Sequence, residues 1–221
     1  MRWNRLAAAA GIAYVALAFV EFFGPGFPTT SDSARFLDAQ FTAHRSWYLV
    51  AVAVQGVGNS LWIVFLCGLV LLVRRVGATA AALVALAGGM LNVAISLTGL
   101  AAIGAIAFWI AGSGDPMLTK AFFEFAPLTL VLSNFLLALM AAAVAVSAPV
   151  RWFRRASGAT AVVFAAGGAA LARHGAFSPD GAVQFATYGL ELLWTLAAGI
   201  ILLRAERAET ISSATRLAGA R

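Results

Sequence analysis

The chain has 221 residues, 62% of them hydrophobic and 11% charged, with a mean hydropathy of +0.91. A soluble domain of this size carries about a quarter charged residues, so the composition excludes an ordinary water-soluble fold and places the chain among integral membrane proteins. The net charge of +6 does not point to nucleic acid, because the arginines stand in short clusters between apolar runs, a pattern of membrane topology.

Cys67 is the one cysteine, so no intramolecular disulfide can form and the redox compartment is left open. Lys120 is the single lysine and alanine is abundant. That bias is typical of high-GC bacterial genomes, and a bacterial cytoplasmic membrane is the expected location.

The first apolar run covers residues 6–23, behind Arg2 and Arg5. Ala16-Leu17-Ala18 has the small-x-small form of a signal-peptide cleavage site. The apolar run continues through Phe19, Val20, Phe22 and Phe23, however, beyond the usual length of about 7–15 residues for a signal core, so a retained helix is expected. Gly24-Pro25-Gly26 and Pro28 end it.

A polar stretch, residues 29–45, follows. Ser31 or Ser33 can cap a short helix there with Phe36, Leu37 and Phe41 to one side. With Trp47 and Tyr48 close behind, it reads as an amphipathic helix lying in the membrane interface.

The second run covers 47–73 and ends at Arg74-Arg75; the third covers 78–111. About 20 residues of helix already span a ~30 Å hydrocarbon core. The third run must therefore tilt, protrude or bend, with Gly99 and Gly104 the expected sites of a bend. Asp115-Pro116 is an acidic cap followed by proline at the first helical position. It should open an interfacial turn, with Pro127 breaking or kinking the start of a fourth crossing over 127–148. Arg151, Arg154 and Arg155 precede a fifth run, 156–172. Ser178-Pro179 repeats the cap-then-proline signal before a sixth, 184–203, and a polar tail occupies 206–221.

The expected fold is thus all-α, a single polytopic bundle over residues 1–205 with six crossings and an interfacial helix between the first two. Arg2, Arg5, Arg74, Arg75, Arg151, Arg154, Arg155, Arg204, Arg207, Arg216 and Arg221 fall on the side of the termini, against Arg35, Arg45, Lys120 and Arg173 on the other. The positive-inside rule then gives both termini in the cytoplasm. A weak echo links Arg74-Arg75, Gly77-Ala78-Thr79 and Gly88-Gly89 to Arg154-Arg155, Gly158-Ala159-Thr160 and Gly167-Gly168. In so alanine-rich a chain, coincidence accounts for it, and the glycine pairs read as sites of close helix packing.

Within the apolar runs the polar residues are the informative ones. Gln184, Tyr188, Glu191 and Thr195 share one stripe of the last helix at 100° per residue. Glu191 lies ~12 Å along the axis from its outer end. A charged group at that depth costs a few kcal/mol, so it should face other helices or a water-filled cavity. Possible company comes from Tyr14 and Glu21 on the first helix, from Gln55, Asn59 and Trp62 with Tyr48 on the second, and from Glu124. The three glutamates and most aromatics, including Phe22, Phe23, Trp47, Phe108, Trp109, Phe122, Phe123 and Phe185, fall in the outer half. Together they predict an outward-opening, aromatic-walled pocket with acids and amides at its bottom.

Each residue also has a plainer explanation. Asn92, with Ser96, and Asn134 suit interhelical hydrogen bonds of about 0.6–2 kcal/mol. Glu21 and Glu124 lie close enough to the interface for simple solvation. His44 and His174, near Asp38 and Asp180 at the rim, lack ligand-type spacing, so no metal is expected. No phosphate, haem or nucleophile motif is present either, and no cofactor is expected.

Gly11-Ile12-Ala13-Tyr14, Phe41-Thr42-Ala43-His44-Arg45, and Leu193-Trp194 through Leu202-Leu203-Arg204 resemble a family of small six-helix bacterial membrane proteins of unassigned function. The resemblance implies the fold and transfers no activity or site. Three functions follow as expectations. The first is a module binding or moving an apolar or amphipathic small molecule, anchored by Glu191 and contacted by Tyr14, Gln55, Asn59, Trp62, Gln184, Tyr188 and Thr195. The second is an enzyme on a lipid or isoprenoid, with Glu191, Glu21 or Glu124 as general acid and aromatics stabilising cations. The third is an accessory subunit contacting a membrane partner or a second copy of the chain.

Overall fold

The computed structural model describes residues 3–26, 28–172 and 175–218, the side chains of Glu21, Phe22 and 206–218 excepted. Its described elements are all helical. In chain order they are α1 (Trp3–Ala18), a 3-10 segment (Phe19–Phe23), α2 (Ala34–Ala43), α3 (Arg45–Arg75) and α4 (Thr79–Ala105). A π-helical segment (Ile106–Ile110) continues α4, and α5 (Pro116–Ser147), α6 (Arg151–Gly168) and α7 (Ala182–Ala218) complete the chain.

Four of these are long and apolar enough to cross a membrane: Arg45–Arg75, Thr79–Ile110, Pro116–Ser147 and Ala182–Ala205. The two shorter helices fall below that standard for visible reasons. α1 has 16 residues before it tightens into the 3-10 segment. The 18 residues of α6 include Arg151, Arg154 and Arg155.

Local chemistry sets the boundaries. Ser33 caps α2 by accepting from the Phe36 amide, and Asp115 caps α5 by accepting from the amides of Met117 and Leu118. The Asp115 cap was readable from sequence, and of the two serines left open before α2, Ser31 and Ser33, the second is the cap. Pro127 does not break the helix: α5 runs through it from Pro116 to Ser147. Neighbouring helices hold such a proline inside a long helix although it removes one backbone bond. The third apolar run deviates at its end rather than at Gly99, passing into the π segment just beyond Gly104. Ser178-Pro179 does not start α7. Ser178 Oγ donates instead to Gly175 O and Asp180 Oδ1, and the helix begins at Ala182.

Around the bundle the helices succeed one another as α1, α3, α4, α5, α6 and α7, with α7 returning to α1; the thinnest contact in this ring is between α6 and α7. One half of the ring is solid. It contains Ala7, Ala8 and Val15 of α1, Phe65, Leu66 and Leu69 of α3, Leu137 and Met140 of α5, Phe153 and Phe164 of α6, and Trp194 and Leu202 of α7, all buried. Trp194 stacks on Phe153 and donates to Ser157 Oγ at 3.0 Å. Gly88 packs against the backbone of α5, where a Cβ would lie 2.8 Å from Leu136 O, and Gly168 lies against the Phe135 ring. The glycine pairs are close-packing sites. The burial of Ala7, Ala8, Tyr14 and Ala18 makes α1 an integral wall of the bundle.

At the opposite end α2 forms a cap with a second, smaller core. Leu37 and Phe41 are fully buried there with Tyr48, Ile106 and Phe123, while Phe36 is half exposed rather than on the buried side. Phe41 stacks on Tyr48 with centroids 4.0 Å apart and meets Phe123 edge-on. Burying each large side chain contributes roughly 1.5–3 kcal/mol. Asp38 adds polar ties, accepting from the Gly112 amide at 3.1 Å and Thr119 Oγ1 at 2.8 Å.

Candidate functional site

The solid core ends near Trp62 on α3, Val93 on α4, Leu137 on α5 and Leu192 on α7. Beyond it, toward the cap, the same helices diverge around a cavity of about 320 Å³. Tyr14 of α1, Gln55, Asn59 and Trp62 of α3, and Gln184, Tyr188 and Glu191 of α7 line it, with Pro179 and Asp180 of the preceding loop. These residues come together because each helix presents them at helical spacing on its inner face: 55, 59 and 62 on one, and 184, 188 and 191 on the other.

Glu191 is partly buried. Its Oε1 accepts from the Tyr14 hydroxyl at 2.9 Å, and its second oxygen has no partner among the described residues. Tyr14 in turn meets Trp62 edge-to-face, with centroids 6.5 Å apart. Asn134 Nδ2 donates to Gln184 Oε1 at 2.8 Å, and Asn59 Nδ2 to the Gln55 carbonyl at 3.0 Å. Two further lining residues carry buried polar atoms with no partner among the described residues: Trp62 Nε1, on a side chain 1% exposed, and Asn92 Oδ1, on one 5% exposed. Leaving such a group unpaired costs about 1–3 kcal/mol.

At the mouth, Asp180 Oδ2 accepts from the Thr30 amide at 2.6 Å and the Thr30 hydroxyl at 2.9 Å, and Oδ1 accepts from Ser178 at 3.0 Å. Partial burial raises the Asp180 pKa, but the Thr30 and Ser178 donors outweigh it and hold the carboxyl below its ordinary value.

Several expected members lie elsewhere. Thr195 is fully buried in the solid half and does not line the cavity. It sits on the stripe but one turn too deep, and its hydroxyl has no partner. Glu124 is on the outer surface, 48% exposed and 3.6 Å from Lys120 one turn back. It is solvated and paired there, away from Glu191. The Glu21 side chain and His174 lie outside the described residues. His44 is exposed at the junction of α2 and α3.

The aromatic walls are also not the ones expected. Phe23, Phe108, Trp109 and Phe122 point outward from the bundle, as belt aromatics do. Phe123 belongs to the cap core. Of the outer aromatics, Phe185 lines the cavity, joined by Tyr14, Trp62 and Tyr188. Sequence reasoning left Pro127, Asn92, Ser96 and Asn134 out of the ligand contacts, although the last three had stood out as polar residues near mid-depth.

The fold and site define an all-α protein with four helices of membrane-spanning length and a cavity that sets a few polar groups in a mainly apolar wall. No family model, curated protein or solved structure matches the chain.

Proposed function

We propose that this is a six-crossing inner-membrane protein, both termini in the cytoplasm, that binds or moves an apolar or amphipathic small molecule in the cavity around Glu191. The observation that carries the reading is Glu191, which lines the cavity with one carboxyl oxygen unpartnered among the described residues. A bound polar head offers that oxygen a partner, whereas a purely structural cavity leaves its desolvation uncompensated. The packing of α1 against α3 and α7, and of α6 against α5, supports counting both short helices among the crossings. The arginine clusters in the last turn of α3 and at the start of α6 support the orientation. The acid-catalysed alternative needs one protonated glutamate, and of its candidates Glu124 lies on the outer surface beside Lys120.

The test is saturable binding of the apolar fluorophore N-phenyl-1-naphthylamine to protein in nonionic detergent. One site per chain is expected, lost in Ser96→Trp, which fills the cavity. Equal, unsaturable partitioning into both proteins would overturn the reading.

A further inference from the structure

We infer that the ligand is a cationic amphiphile, a primary ammonium carried on an alkyl chain; this rests on the binding function proposed above. Three features of the cavity converge on that chemistry. Its wall carries two carboxyl groups, Glu191 and Asp180, and among the described residues no lysine, arginine or histidine lines it. Asp180 is already met by Thr30 and Ser178, whereas Glu191 has one neutral donor, Tyr14, and an oxygen left over. Positive charge to match Glu191 must therefore arrive from outside, as a proton or as part of a ligand.

An ammonium has three donors and no acceptor, which matches the unpartnered oxygen of Glu191. The rings of Tyr14 and Trp62, in edge contact with each other on the same wall, add a surface that attracts cations.

The place of the tail follows from a second, apolar hollow of about 680 Å³ between α1, α6 and α7, lined by Val15, Phe19, Val163 and Leu193 among others. Phe185 and Tyr188 line both spaces. The hollow lies where the ring of helices is thinnest, beside the α6–α7 contact. A head group at Glu191 can thus extend its chain past Phe185 and Tyr188 into this groove.

The experiment is displacement of bound N-phenyl-1-naphthylamine by three ten-carbon competitors: decylammonium, decanol and decanoate. Decylammonium is expected to compete at least tenfold better than decanol, with decanoate weakest. In Glu191→Gln, decylammonium should fall to the level of decanol and Glu191→Asp should restore part of the difference, whereas Gly56→Ala, outside the cavity lining, should keep both fluorophore binding and the preference for decylammonium. Butylammonium should compete more weakly than decylammonium. If the fluorophore binds saturably but decanol or decanoate equals decylammonium, the cationic assignment fails and the binding function stands. If the fluorophore does not bind saturably, both fail.

Discussion

The Tyr14 hydroxyl donates to Glu191 Oε1 over 2.9 Å, joining the first helix to the last across 177 positions of sequence. Tyr14→Phe keeps the ring against Trp62 and removes this donor alone. A loss of about 1–3 kcal/mol of stability is expected, as for other buried bonds to a carboxyl group. Thermal unfolding in detergent measures it; an unchanged midpoint would mean that the bond contributes nothing net.

Asp180 ties the loop before α7 to Thr30, 150 positions earlier. Its folded pKa is depressed, so this tie stabilises the protein above the unfolded carboxyl pKa, roughly 4, and is lost as pH falls through the lower folded value. Protection of the Thr30 amide against hydrogen exchange, relative to its intrinsic rate at each pH, should fall in acid in the natural protein. In Asp180→Ala that protection should already be low at neutral pH and change little in acid.

Gly167 is packed so closely that an added Cβ would lie 2.6 Å from Thr187 Oγ1 and 3.1 Å from Asn134 Nδ2. Gly167→Ala should displace Asn134 from its 2.8 Å bond to Gln184. Overpacking of this kind costs about 1–3 kcal/mol. A lower melting midpoint together with weaker fluorophore binding is expected, whereas Gly56→Ala, where a Cβ meets open space, should leave both unchanged.

The orientation is open to direct measurement because Cys67 is the single thiol. In a Cys67→Ala background, Ser113→Cys between α4 and α5 should react with a membrane-impermeant maleimide in intact cells. Arg151→Cys at the start of α6 should react only after permeabilisation. The reverse pattern would invert the proposed topology.

Much of this was legible in the residues themselves. Asp115-Pro116 acts through its own neighbouring amides, so local sequence suffices to place it, whereas Ser31 and Ser33 were both open and the structure assigns the cap to Ser33. The stripe of Gln184, Tyr188 and Glu191 followed from helical periodicity, which is equally local. What stayed hidden depends on depth and on partners distant in the chain. Periodicity assigned Thr195 to the correct face but could not reveal that the bundle is already solid at that level. Nothing near Asp180 names Thr30 as its partner, and Pro127 looks like a break until α4 and its other neighbours are seen around it. Glu124 was ambiguous for the same reason: its neighbour Lys120 is one turn away, but which way the pair faces is a property of the whole bundle.

The division of the helices into a filled half and an open half makes the molecule a cup rather than a tunnel. A guest resting on Glu191 has Trp62, Phe65, Leu66 and Met140, each no more than 1% exposed, between it and the far end. Under the binding function proposed above, a guest would enter and leave by the same end or sideways through the α6–α7 seam, and exchange with one leaflet would require no rearrangement of the floor. Passage to the other side would require those four side chains to part.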